Sequence, residues 1–310
     1  MEHADVNGRV SVLICTYQRA AEVVRCLAAL GRVRFPAPAL EVVVVDDGSD
    51  DGTERAVAGA RLPFATRYLR QPHGGLASAR NTGIRAASGD LVLIVDDDTI
   101  ADPALVEEHC QTHRGRERLI VMGWVRHVAP GRPARRWPRL ADLSTSFFWT
   151  ANVSIAREHL LAAGLFDEDF TEYGWEDLEL GDRLRALGLS RRRNWRAIVD
   201  HARPVLRPAG LPAMLARAEA SGRSAALYVR KRPTLRARLA TGLTPARRAL
   251  FQALGRRAPS LRAAVERAPE APLNGGARVA AELLSAIHYY QSAERALAAA
   301  SPSPPLRPSA

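Results

Sequence analysis

Three short runs rich in Val, Ile and Leu, at residues 10–15, 41–45 and 91–95, and a fourth strand-like run at 66–69 recur through the first hundred residues. Between them lie segments with apolar residues at helical spacing: Val23, Val24, Leu27 and Leu30 within 20–30, then 53–60 and 76–87, the last stopped by Ser88-Gly89. Strands that alternate with helices pair in parallel through right-handed crossovers. The pattern therefore predicts a mostly parallel α/β sheet with helices on both faces. The run 91–95 is apolar at every position, as a strand covered on both faces must be.

Three of these strands end in polar residues: Thr16-Tyr17, Asp46-Asp47 and Asp96-Asp97-Asp98. Ligands of open α/β sheets collect at the carboxyl ends of the strands, so these ends mark a candidate site. Beyond residue 100 the alternation loosens. Helices are expected at 103–113 and 176–187, strands at 119–125, 147–155 and 197–199, and a Pro/Arg/Gly loop at 130–138. From about Leu211 the chain is rich in Ala, Arg and Leu and helical, broken by Pro233, Pro245, Pro259, Pro269 and Pro272. A last helix is expected at 277–300, followed by a Pro/Ser-rich disordered tail.

Charge separates the same regions. The formal net charge is +11, yet residues 1–202 hold 26 Lys+Arg against 28 Asp+Glu, while 203–310 hold 18 against 5. The basic excess thus lies outside the candidate site, and no nucleic-acid partner is expected. Three scattered cysteines, Cys15, Cys26 and Cys110, suit neither a disulfide framework nor a zinc site. No apolar run approaches the ~18–20 residues that cross a bilayer. The N-terminus lacks the basic start and apolar stretch of a secretory signal. A cytoplasmic location is expected, with or without peripheral attachment to the inner face of the membrane.

Chemistry concentrates in five places. Three adjacent carboxylates at Asp96–Asp98 repel one another unless a cation or hydrogen-bond donors relieve them. Asp102 before Pro103 suffices to cap the next helix, which leaves the triplet for a hard divalent cation, Mg2+ or Mn2+, or for a nucleotide. The segment Asp46 to Thr53 is either a tight turn or a nucleotide contact through one Asp. Gly74-Gly75 opens a helix whose N-terminus favours anions, and Arg80 within it could reach a phosphate or hold the acidic cluster. Glu176-Asp177 at a helix start either complements the helix dipole or supplies a general base at Asp177, with Trp175 as a sugar-stacking wall. His201 is a ligand only if a metal lies nearby.

The order of these pieces is similar to that of the inverting nucleotide-sugar glycosyltransferases of family 2, which have the GT-A fold. The matching stretches are SVLICTYQR, VVVVDDGSDDGT, GGLASARNTGI, SGDLVLIVDDDT, TANVSIARE and GWEDLELGDRLRALG, over about residues 10–202. The resemblance implies a GT-A catalytic domain over 1–205, with a nucleotide-binding half to about 110 and an acceptor-binding half from 111. A basic helical region would follow at 206–300 and the disordered tail at 301–310. It implies that Thr16, Tyr17, Arg19, Asp47, Arg80, Asp96 and Asp97 bind the nucleotide sugar, and that Asn152, Trp175 and Glu176 face the acceptor. Asp98, Asp96 and His201 would hold Mg2+ or Mn2+, and Asp177 would be the catalytic base. Cys15 and Gln18 stand where members often carry Pro and Asn, which leaves the base preference open.

The implied partners are a nucleotide-diphosphate sugar and a glycan, lipid-linked or small-molecule acceptor with a free hydroxyl. A nucleotidyltransferase or a dinucleotide oxidoreductase would carry a glycine-rich loop after the first strand, and CTYQRAAE has none. A sugar-nucleotide-binding scaffold subunit is disfavoured by the intact acidic residues. The basic helices have four readings: a homo-oligomer interface, a cover for the acceptor groove, a solvated face, or contact with an anionic membrane through Arg230-Lys231-Arg232, Arg236 and Arg238.

Overall fold

The structure is a computed structural model that describes residues 8–128, 137–138, 146–202 and 205–299. Most of the loop expected at 130–138 and the tail expected at 301–310 lie outside the described residues. The chain divides into two compact units, one drawn from Met1–Thr171 and Glu176–Arg203, the other from Glu172–Trp175 and Pro204–Ala310. No change of composition marks the short 172–175 segment as part of the second unit.

In the first unit, β1 (Val10–Thr16), α1 (Ala20–Leu30), β2 (Leu40–Asp46), α2 (Thr53–Gly59), β3 (Ala65–Arg70), α3 (Leu76–Ala86) and β4 (Leu91–Val95) follow the predicted alternation. Then come β5 (Thr99–Ala101), α4 (Leu105–His113), β6 (Leu119–Val128), β7 (Asn152–Ala156), α5 (Arg157–Ala162), α6 (Glu176–Ala186) and β8 (Ser190–Ala202). The strands form one sheet in the order β3-β2-β1-β4-β7-β6-β8-β5. The pairs β1/β2, β1/β4, β2/β3 and β6/β8 are parallel, whereas β4/β7, β6/β7 and β5/β8 are antiparallel.

The two-residue period of a strand divides the core. Val12, Ile14, Val42, Val44, Leu93 and Val95 pack with Val23 and Leu27 of α1 and Leu105 of α4. Their neighbours Leu13, Val43, Val45, Val92 and Ile94 pack with Ile84 of α3, Leu160 of α5 and Leu180 of α6. Gly83 lets α3 approach the sheet, because a Cβ there would lie 2.1 Å from Leu13 Cδ1 and 3.1 Å from Val45 Cγ2.

Three sequence expectations need correction. The strand read at 147–155 is only Asn152–Ala156, preceded by irregular chain that plugs Phe148 into the core. The short strand read at 197–199 is the end of β8, whose first half carries Arg191, Arg192 and Arg193 and so hides its β character. Asp102 is not the N-cap itself: α4 begins at Leu105, and the Asp102 carboxylate instead accepts the Ala104 N–H at 2.9 Å.

The second unit is helical: α7 (Leu211–Lys231), α8 (Leu235–Thr241), α9 (Pro245–Leu254), α10 (Ala258–Glu266) and α11 (Gly275–Ala299). Proline begins α9 and sits in the first turn of α10, where its missing N–H costs nothing. Leu211 and Leu215 of α7, Val265 of α10 and Ala281 and Leu284 of α11 share one core. Gly222 brings α7 close to α11, since a Cβ there would meet the Tyr289 carbonyl at 2.3 Å. No helix among the described residues is long and apolar enough to cross a membrane.

Substituting Gly83→Val should destabilise the protein by about 1–3 kcal/mol through overpacking against Leu13. Urea unfolding checks this: the midpoint should fall while the slope stays unchanged.

Candidate active site

The carboxyl ends of β2, β1 and β4 lie side by side, with Thr16 in register with Asp46. This brings the three polar strand ends together. Thr16 donates to Asp97 Oδ2 at 2.8 Å, and Arg19 bridges Asp97 and Asp98 at 2.8 and 2.7 Å. The acidic triplet forms a tight turn, with the Thr99 N–H and hydroxyl both donating to the Asp96 carbonyl. Asp97 therefore points to Thr16 and Arg19, while Asp96 and Asp98 converge on His201.

His201 reaches the triplet through strand pairing. β8 returns antiparallel to β5 and sets His201 opposite Thr99, the residue after Asp98. His201 Nε2 lies 3.2 Å from Asp98 Oδ1. One donor atom each from Asp96, Asp98 and His201 falls within 4.8 Å of the others. Apart from this ion-pair approach, Asp98 Oδ1 is buried without a hydrogen-bond partner, as is His201 Nδ1. Two carboxylates and an imidazole converging in this way fit a divalent cation such as Mg2+ or Mn2+. His127 of β6 lies beside His201, ring centroids 5.4 Å apart, a neighbour that only the β6/β8 pairing reveals.

The three aspartates differ in their electrostatics. Burial pushes Asp97 up to about 6, against the opposing pull of Arg19 and Thr16. Asp96 is raised as well, by burial working against Arg80. Burial also acts against the charge of Asp98, but the nearby His201 and Arg19 outweigh it and hold Asp98 well below the usual carboxylate range.

On the other side of this cluster stands Arg80, buried in α3. Its Nη1 donates to Glu176 Oε1 at 2.6 Å, with both side chains nearly inaccessible. Burial opposes its charge, and the fields of Glu176, Asp96 and Asp177 restore it. Asp177, in the first turn of α6, accepts the Leu178 N–H at 2.8 Å and is otherwise enclosed. Burial first and the Glu176 charge second push its pKa up to about 7, with Asp96 adding to the rise. Asp177 thus shares an electrostatic environment with the Asp96, Asp98 and His201 cluster although 81 residues separate it from Asp96. Asn81, next to Arg80, clamps the chain leading to α6 by exchanging hydrogen bonds with the backbone of Phe166 at 2.9 and 2.8 Å.

Other expected site residues have different surroundings. Tyr17 is exposed and stacks on His73 at 4.2 Å, making an aromatic platform at the end of β1. Asp47 takes hydrogen bonds from Gln71, Gly74 and Gly75 and an ion-pair contact from His73, so it clasps the loop before α3. A nucleotide group could engage it only by exchange. Gly75, at φ 87°, is required there, because a Cβ would meet the Thr171 carbonyl at 2.9 Å. Asp51 accepts the Ala20 N–H at 2.9 Å and so serves the N-terminus of α1, a role invisible in the order of residues.

Asn152, expected to face the acceptor, is held by internal partners. It is buried, its Oδ1 pairs with His109 Nε2 at 2.9 Å and its Nδ2 donates to the Ala197 carbonyl at 3.0 Å. Because an amide oxygen only accepts, His109 Nε2 must carry the proton, leaving Nδ1 to accept from Ser154 at 2.7 Å. Burial pushes His109 down to about 3, consistent with that neutral tautomer. Trp175 belongs to the second unit, where its Nε1–H donates to the Ser221 carbonyl at 3.0 Å and its ring stacks on Tyr228. Glu176 is occupied by Arg80, though its Oε2 is buried without a partner.

The sheet with its flanking helices has the GT-A fold, and solved structures agree. A mannosyltransferase from Pyrobaculum calidifontis, solved with GDP-Man and Mn2+, superposes with a TM-score of 0.63 at 19% identity, covering 95% of this chain and 89% of that one. TarS 1-349 of S. aureus, in complex with UDP-GlcNAc, gives 0.54 at 16% identity, covering 92% and 90%. At these identities the likeness concerns the fold.

The chain belongs to glycosyl transferase family 2, whose family model matches residues 11–171. It is similar to validoxylamine A glucosyltransferase of Streptomyces hygroscopicus subsp. jinggangensis (strain 5008), 34% identical over 63% of this chain and 56% of that protein. The match to the corresponding enzyme of subsp. limoneus covers 52% of that protein, so the chain spans about half the length of these relatives.

Replacing Arg80 with Met would leave Glu176 buried and uncompensated, which should cost about 3–5 kcal/mol. The double change Arg80→Met with Glu176→Leu should recover much of that loss in chemical unfolding.

Proposed function

We propose that this protein transfers a sugar from a nucleotide-diphosphate sugar to a hydroxyl acceptor, inverting the anomeric centre, with the help of Mg2+ or Mn2+. One observation carries the reading: Asp177, a buried carboxyl pushed up to about 7, interacts electrostatically with Asp96 of the cation cluster. A base with a pKa near the working pH is suited to take a proton only as it is released. Solved neighbours with GDP-Man or UDP-GlcNAc support a nucleotide-diphosphate sugar as donor.

In this reading Asp98, Asp96 and His201 hold the cation, which when bound neutralises charge that grows on the departing diphosphate. Arg19 orders Asp97 and Asp98, and the exposed ring of Tyr17, backed by His73, offers a face to the nucleobase. Asp177 accepts the proton of the acceptor hydroxyl as its oxygen forms the new bond to the anomeric carbon. The bond to the diphosphate oxygen breaks on the opposite face, which gives inversion. Arg80 pairs with Glu176 and brings a positive charge close to Asp177, which favours the ionised base. The acceptor nucleophile is a hydroxyl on a glycan, a lipid-linked sugar or a small molecule.

Asp177→Asn should lower transfer by about 10²–10⁴-fold, the usual contribution of a general base. Donor binding should change little by calorimetry; equal loss of both would make Asp177 a structural residue. The raised pKa sets the sign of the pH response: Asp177 is ionised above about 7, so transfer should rise with pH toward neutrality and fall on acidification below it. This acid limb should be absent from the residual activity of the Asn variant. Mn2+ should raise the melting temperature of the native protein but not that of Asp98→Asn.

A further inference from the structure

The second unit turns an apolar face outward in its most basic stretch. From Arg230 to Arg257 there are nine Lys and Arg residues and no Asp or Glu. In α8 the small residues Ala237 and Thr241 are buried, while Leu235 and Leu239 are 71% and 61% exposed. Residues 235 and 239 lie one turn apart, on the side of the helix opposite Ala237. The usual arrangement, leucine inward and small or polar residues outward, is reversed.

α9 repeats the pattern. Its inner side is fixed by Phe251, stacked on Tyr290 of α11 with ring centroids 4.3 Å apart, and by Arg248, paired with Glu294. At 100° per residue, Ala246, Ala249, Leu250 and Ala253 then face away, and all four are exposed. Leu250 is 54% exposed, and the helix buries no residue fully. Exposed Arg238, Arg256 and Arg257 flank these apolar positions.

We propose that α8 and α9 form a docking surface for an anionic lipid membrane, with Leu235, Leu239 and Leu250 entering the interface and the arginines engaging the headgroups. Both halves of the surface fit this occupant. Leucines gain only where water is removed, and the arginines gain only opposite negative charge; an anionic bilayer supplies both at once. A second copy of the chain would bring two stretches of the same sign together. A soluble polyanion would give the leucines nothing to enter.

Co-sedimentation of the full-length protein with vesicles tests the surface. It should bind vesicles of phosphatidylglycerol and phosphatidylcholine in equal parts, bind pure phosphatidylcholine far less, and detach as salt screens the headgroups. The variant L235S/L239S/L250S should lose about tenfold or more of its binding, with circular dichroism unchanged because these side chains are outside the core. The variant R238E/R256E/R257E should lose the preference for anionic vesicles. Absence of vesicle binding by the native protein would overturn the proposal. So would undiminished binding by the leucine variant, which would indicate a purely electrostatic polyanion site. A dimer in sedimentation equilibrium that dissociates in the leucine variant would overturn it too, by assigning the leucines to self-association.

Discussion

A guanidinium buried among acids holds the candidate site together. Arg80 is almost fully enclosed, and removing such a charge from water costs several kcal/mol unless partners replace the lost hydration. Glu176 supplies a direct bond at 2.6 Å, and Asp96 and Asp177 supply field. The dependence is mutual, since without Arg80 these carboxyls would face one another in a poorly solvated space. Gly83 lets α3 sit close on the sheet, and Asn81 ties α3 to the chain that leads into α6, so the position of Arg80 is set by packing as well as charge.

Opposing demands are resolved within four residues of chain. Asp97 is pushed up by burial and Asp98 pulled down by its cationic neighbours, although the two are adjacent. The tight turn after β4 makes this division, because it sends Asp97 toward β1 and leaves Asp96 and Asp98 facing His201. The β5/β8 pairing completes the cluster from the far end of the unit. The cluster of Asp96, Asp98 and His201 is thus assembled by backbone hydrogen bonds, which position His201 more firmly than a loop could.

The helical unit obeys another logic. Gly222 permits α7 and α11 to touch, and Leu211, Leu215, Val265 and Leu284 fill the core beside Ala280 and Ala281. By contrast, α8 and α9 carry Leu235, Leu239 and Leu250 on the surface beside arginines. High net charge keeps such a surface from self-association, which makes exposed leucines tolerable in a folded chain.

What the sequence by itself determined is what depends on local periodicity: the four leading strands and their helices, the acidic and hydroxyl groups at the strand ends, and the proline-punctuated helices after residue 205. These follow because apolar spacing and turn chemistry act over a few residues. β8 was only partly legible, because its arginines mask alternation, and the internal pairing of Asn152 with His109 and Ala197 was not legible, because its motif sits beside site residues in the chain. The tertiary structure alone decided which carboxylates share Arg80, that His201 meets Asp98, that Asp51 serves a helix it does not belong to, and which leucines face outward. Each of these is a contact between residues far apart in the chain, and such contacts are set by sheet register and helix packing, which local pattern does not encode.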